Sequence, residues 1–134
     1  MEIELLCEGK FRLYSVLNNQ RQNELLDFFE CLGANLHKNR DGMLQLLERT
    51  AAHGPSRNTD ISHQIDGEIW EFIKGRLRVF WFYDKSQIII CTHGIIKRSN
   101  KISNADKQKA QQIREAYIKA KAAGRLKKLF ERRV

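Results

Sequence analysis

The stretch that decides the fold is residues 65–96, IDGEIWEFI-KG-RLRVFWFY-DKS-QIIICTHGII. It holds three runs rich in Ile, Val, Phe, Trp and Tyr, the residue types that suit a pleated, buried surface. Two short polar breaks separate them, Lys74-Gly75 and Asp84-Lys85-Ser86. Connections that short force antiparallel neighbours, so Ile65–Ile73, Arg76–Tyr83 and Gln87–Ile96 read as a three-stranded meander. In the middle run Leu77, Val79, Trp81 and Tyr83 share one face, and Arg76, Arg78, Phe80 and Phe82 share the other. Two arginines at the start of a central strand read as non-core residues marking a ligand-facing end of the sheet.

Around the meander the period changes. Leu25, Phe28, Phe29 and Leu32 fall on one helical face, with Asn18 or Asn19 as cap and Gly33 as stop. Met43, Leu44, Leu47 and Ala51 form a second stripe, with Asn39 or Asp41 as its cap. Residues 3–7 and 11–17 are strand-like, with Gly9 able to turn between them, and we count one N-terminal strand. The segment His53–Ser62 reads as a loop. A long basic helix is expected over about 104–133, capped by Asn104, with Ala110, Ile113, Tyr117 and Ala120 as its apolar seam and Gly124 as an interruption. The order is strand, two helices, meander, helix. We therefore expect an α+β domain with helices on one face of the sheet, spanning residues 1–134 as a single unit.

The chain has 134 residues, 42% hydrophobic and 30% charged, with 8 Gly and 1 Pro, which excludes collagen-like and low-complexity classes. Cys7, Cys31 and Cys91 are an odd, widely spaced set, so neither a disulfide framework nor a zinc site is expected. No run is long and apolar enough for a membrane span. The acidic start Met1–Glu4 is the wrong sign for a secretory leader, so a soluble, unprocessed protein is expected, and reduced thiols fit a cytoplasmic one. From Lys97 onward there are 13 Lys and Arg against 3 Asp and Glu, while the rest of the chain is slightly acidic. A basic segment on a near-neutral body suits a polyanion partner, and equally a solvated helix or an acidic protein partner.

The ordered set from Gly67 to Ala110 resembles the RelE/HigB superfamily of toxins, in its phage-derived HigB-like branch. Gly67-Glu68-Ile69-Trp70-Glu71-Phe72-Ile73 is similar to the family's Gly-Leu-Trp-Glu-Leu-Arg strand. Leu77-Arg78-Val79-Phe80-Trp81 is similar to its second strand. His93-Gly94-Ile95-Ile96-Lys97-Arg98-Ser99-Asn100-Lys101 is similar to its His-Gly-Phe-x-Lys-Lys-Thr-x-Lys ending. Two departures stand out: Ile73 replaces a family Arg, with Lys74 one place on, and Ile102-Ser103 replaces Thr-Pro. The resemblance implies the toxin of a toxin–antitoxin pair, a ribosome-dependent mRNA endonuclease. Its partners would be the ribosome, mRNA and a cognate antitoxin, often a helix-turn-helix protein. No cofactor or metal is implied.

RNA cleaves when its 2′-OH attacks the adjacent phosphorus. The enzyme must take that proton, stabilise the added negative charge and protonate the leaving 5′-oxygen. A dense basic cluster can do this, because like charges disfavour protonation of a lysine and Arg holds phosphate oxygens bidentately. The candidates are Arg78 and Arg76 on the scissile phosphate, Lys97 as base or charge stabiliser, and His93 as proton carrier. Lys74, Arg98, Asn100 and Lys101 would hold flanking RNA. Arg76 starts the second strand and Lys97 follows the third, so an antiparallel pair puts both at one end of the sheet. A buried, satisfied His93 and charged residues that merely flank a turn are the competing readings. A non-catalytic RNA- or ribosome-binding module is the alternative function, and loss of the strand Arg at Ile73 favours it.

Overall fold

A computed structural model describes residues 1–129. In chain order the elements are β1 (Glu2–Glu8), β2 (Arg12–Val16), α1 (Glu24–Glu30), a short 3-10 turn (Ala34–Leu36) and α2 (His37–His53). They continue with β3 (Ser62–Asp66), β4 (Ile69–Lys74), β5 (Leu77–Tyr83), β6 (Ile88–Ile96), α3 (Asn104–Ala122) and β7 (Lys127–Leu129). The strands make one seven-stranded sheet in the order β3-β4-β5-β6-β2-β1-β7. From β3 to β6 neighbours are antiparallel. β2 lies parallel to β6, β1 antiparallel to β2, and β7 parallel to β1.

The α+β class and the meander are as expected, and several details are corrected. The N-terminal region is a hairpin of two strands, because Gly9 and its neighbours turn the chain between two alternating runs. The run Ile65–Ile73 is likewise two strands. Gly67 adopts a left-handed φ of +54°, which a glycine tolerates without strain, and the chain reverses there. α1 starts at Asn23, whose side chain accepts from Leu26 N at 3.1 Å. Asn18 is spent on a turn, its Oδ1 accepting from the backbone N–H groups of Gln20 and Gln22. α2 begins at His37, ahead of Asn39 and Asp41, since the 3-10 turn feeds directly into it. α3 is capped by Ser103, one residue before Asn104. It ends at Ala122, with Gly124 left-handed beyond it, and the chain then forms β7 instead of continuing as helix. The remainder of the expected helix, including Phe130, lies outside the described residues.

The layering also differs from the one-sided arrangement. Leu25 and Phe29 of α1 and Met43 and Leu47 of α2 pack with Leu13, Phe72, Leu77, Val79 and Trp81. Ala110 and Tyr117 of α3 pack with Ile3, Tyr14, Ile69, Phe80, Phe82 and Ile90 on the opposite face. The cause is visible in β5, where both alternating sets are large and apolar. A central strand of that kind must be covered on both sides. α1 crosses β6 at Gly94, where a Cβ would lie 2.6 Å from Phe28 Cδ2.

Candidate nucleic-acid interface

The β4–β5 turn and the end of β6 form one rim of the sheet. Register pairs Lys74 with Leu77 and Leu77 with Ile96. The backbone N–H of Lys97 donates to the carbonyl of Arg76 at 2.7 Å. Two segments distant in sequence therefore meet here, and Arg76 sits beside Lys97 at the backbone. Lys74, Arg76, Arg98, Asn100 and Lys101 are exposed, and Lys97 is half-buried. Ser99 Oγ donates to the Lys101 carbonyl at 2.9 Å, which shapes the connection after β6. Gly75 is left-handed at φ +56°, and a Cβ there would overlap the Asn39 amide of α2. A Cβ on Gly42 would overlap the aliphatic stem of Lys74. The start of α2 is thus pressed against the turn, and two glycines permit the approach.

Arg78 does not stand open on this rim. It is 9% exposed, with Nη1 donating to the carbonyls of Gly75 at 2.7 Å and Leu77 at 2.9 Å. Its Nε lies 3.1 Å from Glu71 Oε1 as an ion pair, without the alignment of a hydrogen bond. Glu71 is only 2% exposed. The reading of Arg78 as a non-core residue is therefore corrected. Glu71 on the neighbouring strand supplies the opposite charge that lets an arginine be buried. Arg78 holds the turn that carries Lys74 and Arg76. Net positive charge at the rim comes from Lys74, Arg76, Lys97, Arg98 and Lys101.

His93 is also enclosed. Its ring packs on Phe80 at 4.8 Å between centroids. Nδ1 is 3.1 Å from Thr92 Oγ1 and Nε2 is 3.3 Å from Asp106 Oδ1. Asp106 completes the α3 cap, its Oδ2 accepting from Ser103 Oγ at 2.9 Å while its N–H donates back to that oxygen. Burial pushes the His93 pKa down, the Lys109 charge adds to this, and Asp106 opposes it without prevailing. The residue is a satisfied histidine joining β6 to the first turn of α3, as its competing reading had it.

At the far end of β5, Asp84 plays a similar structural part. It accepts from Tyr117 Oη and from Lys121 Nζ, the latter at 2.6 Å. Burial alone would raise the Asp84 pKa. Hydrogen bonds from Lys121 and Tyr117, with the charges of Lys121 and Lys85, outweigh it and hold the carboxyl below its ordinary value. A lowered carboxyl pKa stabilises the fold above the ordinary value of 3.8, and that contribution is lost as pH falls through the folded value. Asp84→Asn should therefore lower urea stability at neutral pH and lose less than the parent on acidification to about pH 3. Equal acid sensitivity in both proteins would show that the contact contributes nothing. Tyr117 is the seam residue expected, buried and with its hydroxyl pushed up by burial and by Asp84.

Glu71 is the residue that sequence reasoning passed over. The available signal was a lone acid between Trp70 and Phe72 in a strand otherwise built for burial. Among the described residues no three His, Cys, Asp or Glu are grouped to hold a metal ion, and no helix is long and apolar enough to cross a membrane.

A comparison with curated proteins found no match. The family described as "Phage derived protein Gp49-like (DUF891)" matches residues 27–115, which run from α1 into α3 and include the whole basic rim. That match covers more than half of the 134 residues, and the chain belongs to the Gp49-like phage-derived family, one associated with RelE/HigB-like toxins.

Proposed function

We propose that this chain is the toxin of a toxin–antitoxin pair, a cytoplasmic single-domain endoribonuclease that cuts mRNA on the ribosome. The observation that carries the reading is the backbone bond between Arg76 and Lys97 at 2.7 Å, which joins two basic segments at one rim. Family membership gives the toxin context. In this reading the RNA 2′-oxygen attacks the adjacent phosphorus and the 5′-oxygen leaves, giving a 2′,3′-cyclic phosphate and a 5′-hydroxyl. The 2′-oxygen gives its proton to Lys97 acting as base, and Lys97 returns a proton to the leaving 5′-oxygen. Arg76 grips the non-bridging oxygens and Lys97 stabilises their growing charge. Lys74, Arg98, Asn100 and Lys101 hold the flanking strand. Arg78 and His93 act from within the scaffold, through the turn and through the start of α3. An antitoxin would neutralise the protein by covering this rim.

The test is induced expression with mapping of mRNA ends. New ends within ribosome-bound messages support the proposal. A second reading, RNA or ribosome binding without cleavage, is favoured by the enclosure of His93, which leaves the expected proton carrier away from solvent. Tight, salt-sensitive RNA binding with no new ends would establish that reading and overturn the first.

A further inference from the structure

The rim continues into a groove along α2. One cleft, of about 150 Å3, lies between Gln45 and Arg49 of α2 and Ile73 and Lys74 of β4, beside Ile61. A second, of about 250 Å3, shares Leu46, Arg49 and Ile61 with it and runs on to His53 and the Gly54-Pro55-Ser56 loop. Among the described residues neither cleft is lined by Asp or Glu. Lys74 belongs both to the first cleft and to the rim, so the two surfaces are continuous.

The charge on α2 is sorted to match. Gly42, Gln45 and Arg49 recur at helical spacing and line the cleft beside β4, with Lys38 one turn before Gly42 on the same stripe. Lys38 and Arg49 are exposed there. Asp41 and Glu48 lie on another stripe of the same helix. Glu48 is near enough to Cys7 of β1 for its charge to raise that thiol's pKa, which places it on the β1 side of the helix, away from β4. Among the described residues, Arg49 is the one Lys, Arg, Asp or Glu of α2 that lines the clefts, while Arg40 pairs with Asp41 at 3.3 Å. Gly42 lets the Lys74 stem lie directly against the helix, which joins the cleft to the rim.

We infer that the groove between α2 and β4 binds the sugar–phosphate backbone of a single RNA strand leaving the rim, with Arg49 and Lys74 as phosphate contacts. A flexible polyanion fits a shallow, narrow channel of like-signed cations, and the channel needs no base recognition to hold it. This extends the RNA-binding part of the proposed function and does not depend on cleavage.

The experiment measures binding of a short fluorescein-labelled oligouridylate to the full chain by anisotropy across a salt series. Arg49→Ala should weaken binding about fivefold at roughly 0.1 M salt and reduce the slope of log affinity against log salt by about 0.7. Arg49→Glu should weaken it further, and Glu48→Ala on the other flank should leave it unchanged. Circular dichroism checks the fold of each variant, and Arg49 is an exposed side chain whose loss opens no core cavity. Wild-type affinity and slope in Arg49→Ala overturn the inference, as does a parent protein that binds no RNA. Loss of binding to polyglutamate alone, with RNA binding intact, would assign the groove to an acidic protein and also overturn it. Arg49-dependent RNA binding without mRNA cleavage would sustain the groove while removing the enzymatic reading.

Discussion

Glu71→Ala is expected to lower the free energy of unfolding by about 3–5 kcal/mol, the cost of leaving one half of a buried ion pair uncompensated. The Glu71 side chain is 3% exposed and that of Arg78 11%, with Nε and Oε1 3.1 Å apart, so water cannot replace the missing carboxylate without opening the strand. Against a typical total of roughly 5–15 kcal/mol, this is a large fraction. Arg78→Ala should cost a similar amount, since it strands Glu71 and frees the Gly75 and Leu77 carbonyls. The double replacement Glu71→Met with Arg78→Leu should recover much of the loss, because apolar side chains of similar volume need no charge partner. Urea unfolding of the parent, the two single variants and the double one supplies the cycle. A Glu71→Ala protein with the parent's midpoint would mean that the pair holds nothing. The double variant also separates scaffold from site. It keeps the fold but loses the anchor on Gly75, so reduced RNA affinity in a stable protein would trace to a loosened turn.

The meander was legible because three runs of strand-forming residues are divided by two polar turns, and nothing in the rest of the chain competes with that pattern. The two-sided burial of β5 was missed by the expectation of helices on one face, although both alternating sets of that strand are apolar. Phe80 and Phe82 cannot face water, so a layer had to cover them, and α3 does. The extra strand β3 was harder to see, because Asp66-Gly67 looks like an interruption within one strand until the positive φ of Gly67 shows the reversal. Meeting of Arg76 and Lys97 at one rim followed from antiparallel order alone. The fates of Arg78 and His93 did not. Whether a charged residue in a strand points at a ligand or at a buried partner depends on what stands across the ladder. Glu71 and Asp106 answer that through space, and periodicity carries no trace of them. The α2 groove was hidden for the same reason. Arg49 and Lys74 are 25 positions apart on unlike elements, and only packing of a helix against β4 aligns them.

Arg76→Ala and Lys97→Ala should each reduce mRNA cleavage by about 10²–10³-fold, the range for removing one donor aimed at a developing oxyanion. Neither change should lower stability much, since Arg76 is exposed and the bond that joins the two residues runs between backbone atoms. That separation matters, because it distinguishes these residues from Arg78, whose loss damages the fold itself. Arg76→Lys should recover only part of the activity. Its single ammonium keeps the charge but cannot hold two phosphate oxygens in the fork geometry of a guanidinium. If both residues act on the same phosphate, the double variant should fall little below either single one, as groups that work as a unit are strongly non-additive. The readout is end mapping on ribosome-bound message, paired with growth after induction. Undiminished cleavage in folded Arg76→Ala would place the chemistry elsewhere. A multiplicative loss in the double variant would mean that the two cations act on different phosphates, with Lys97 holding the strand next to the bond that Arg76 helps to break.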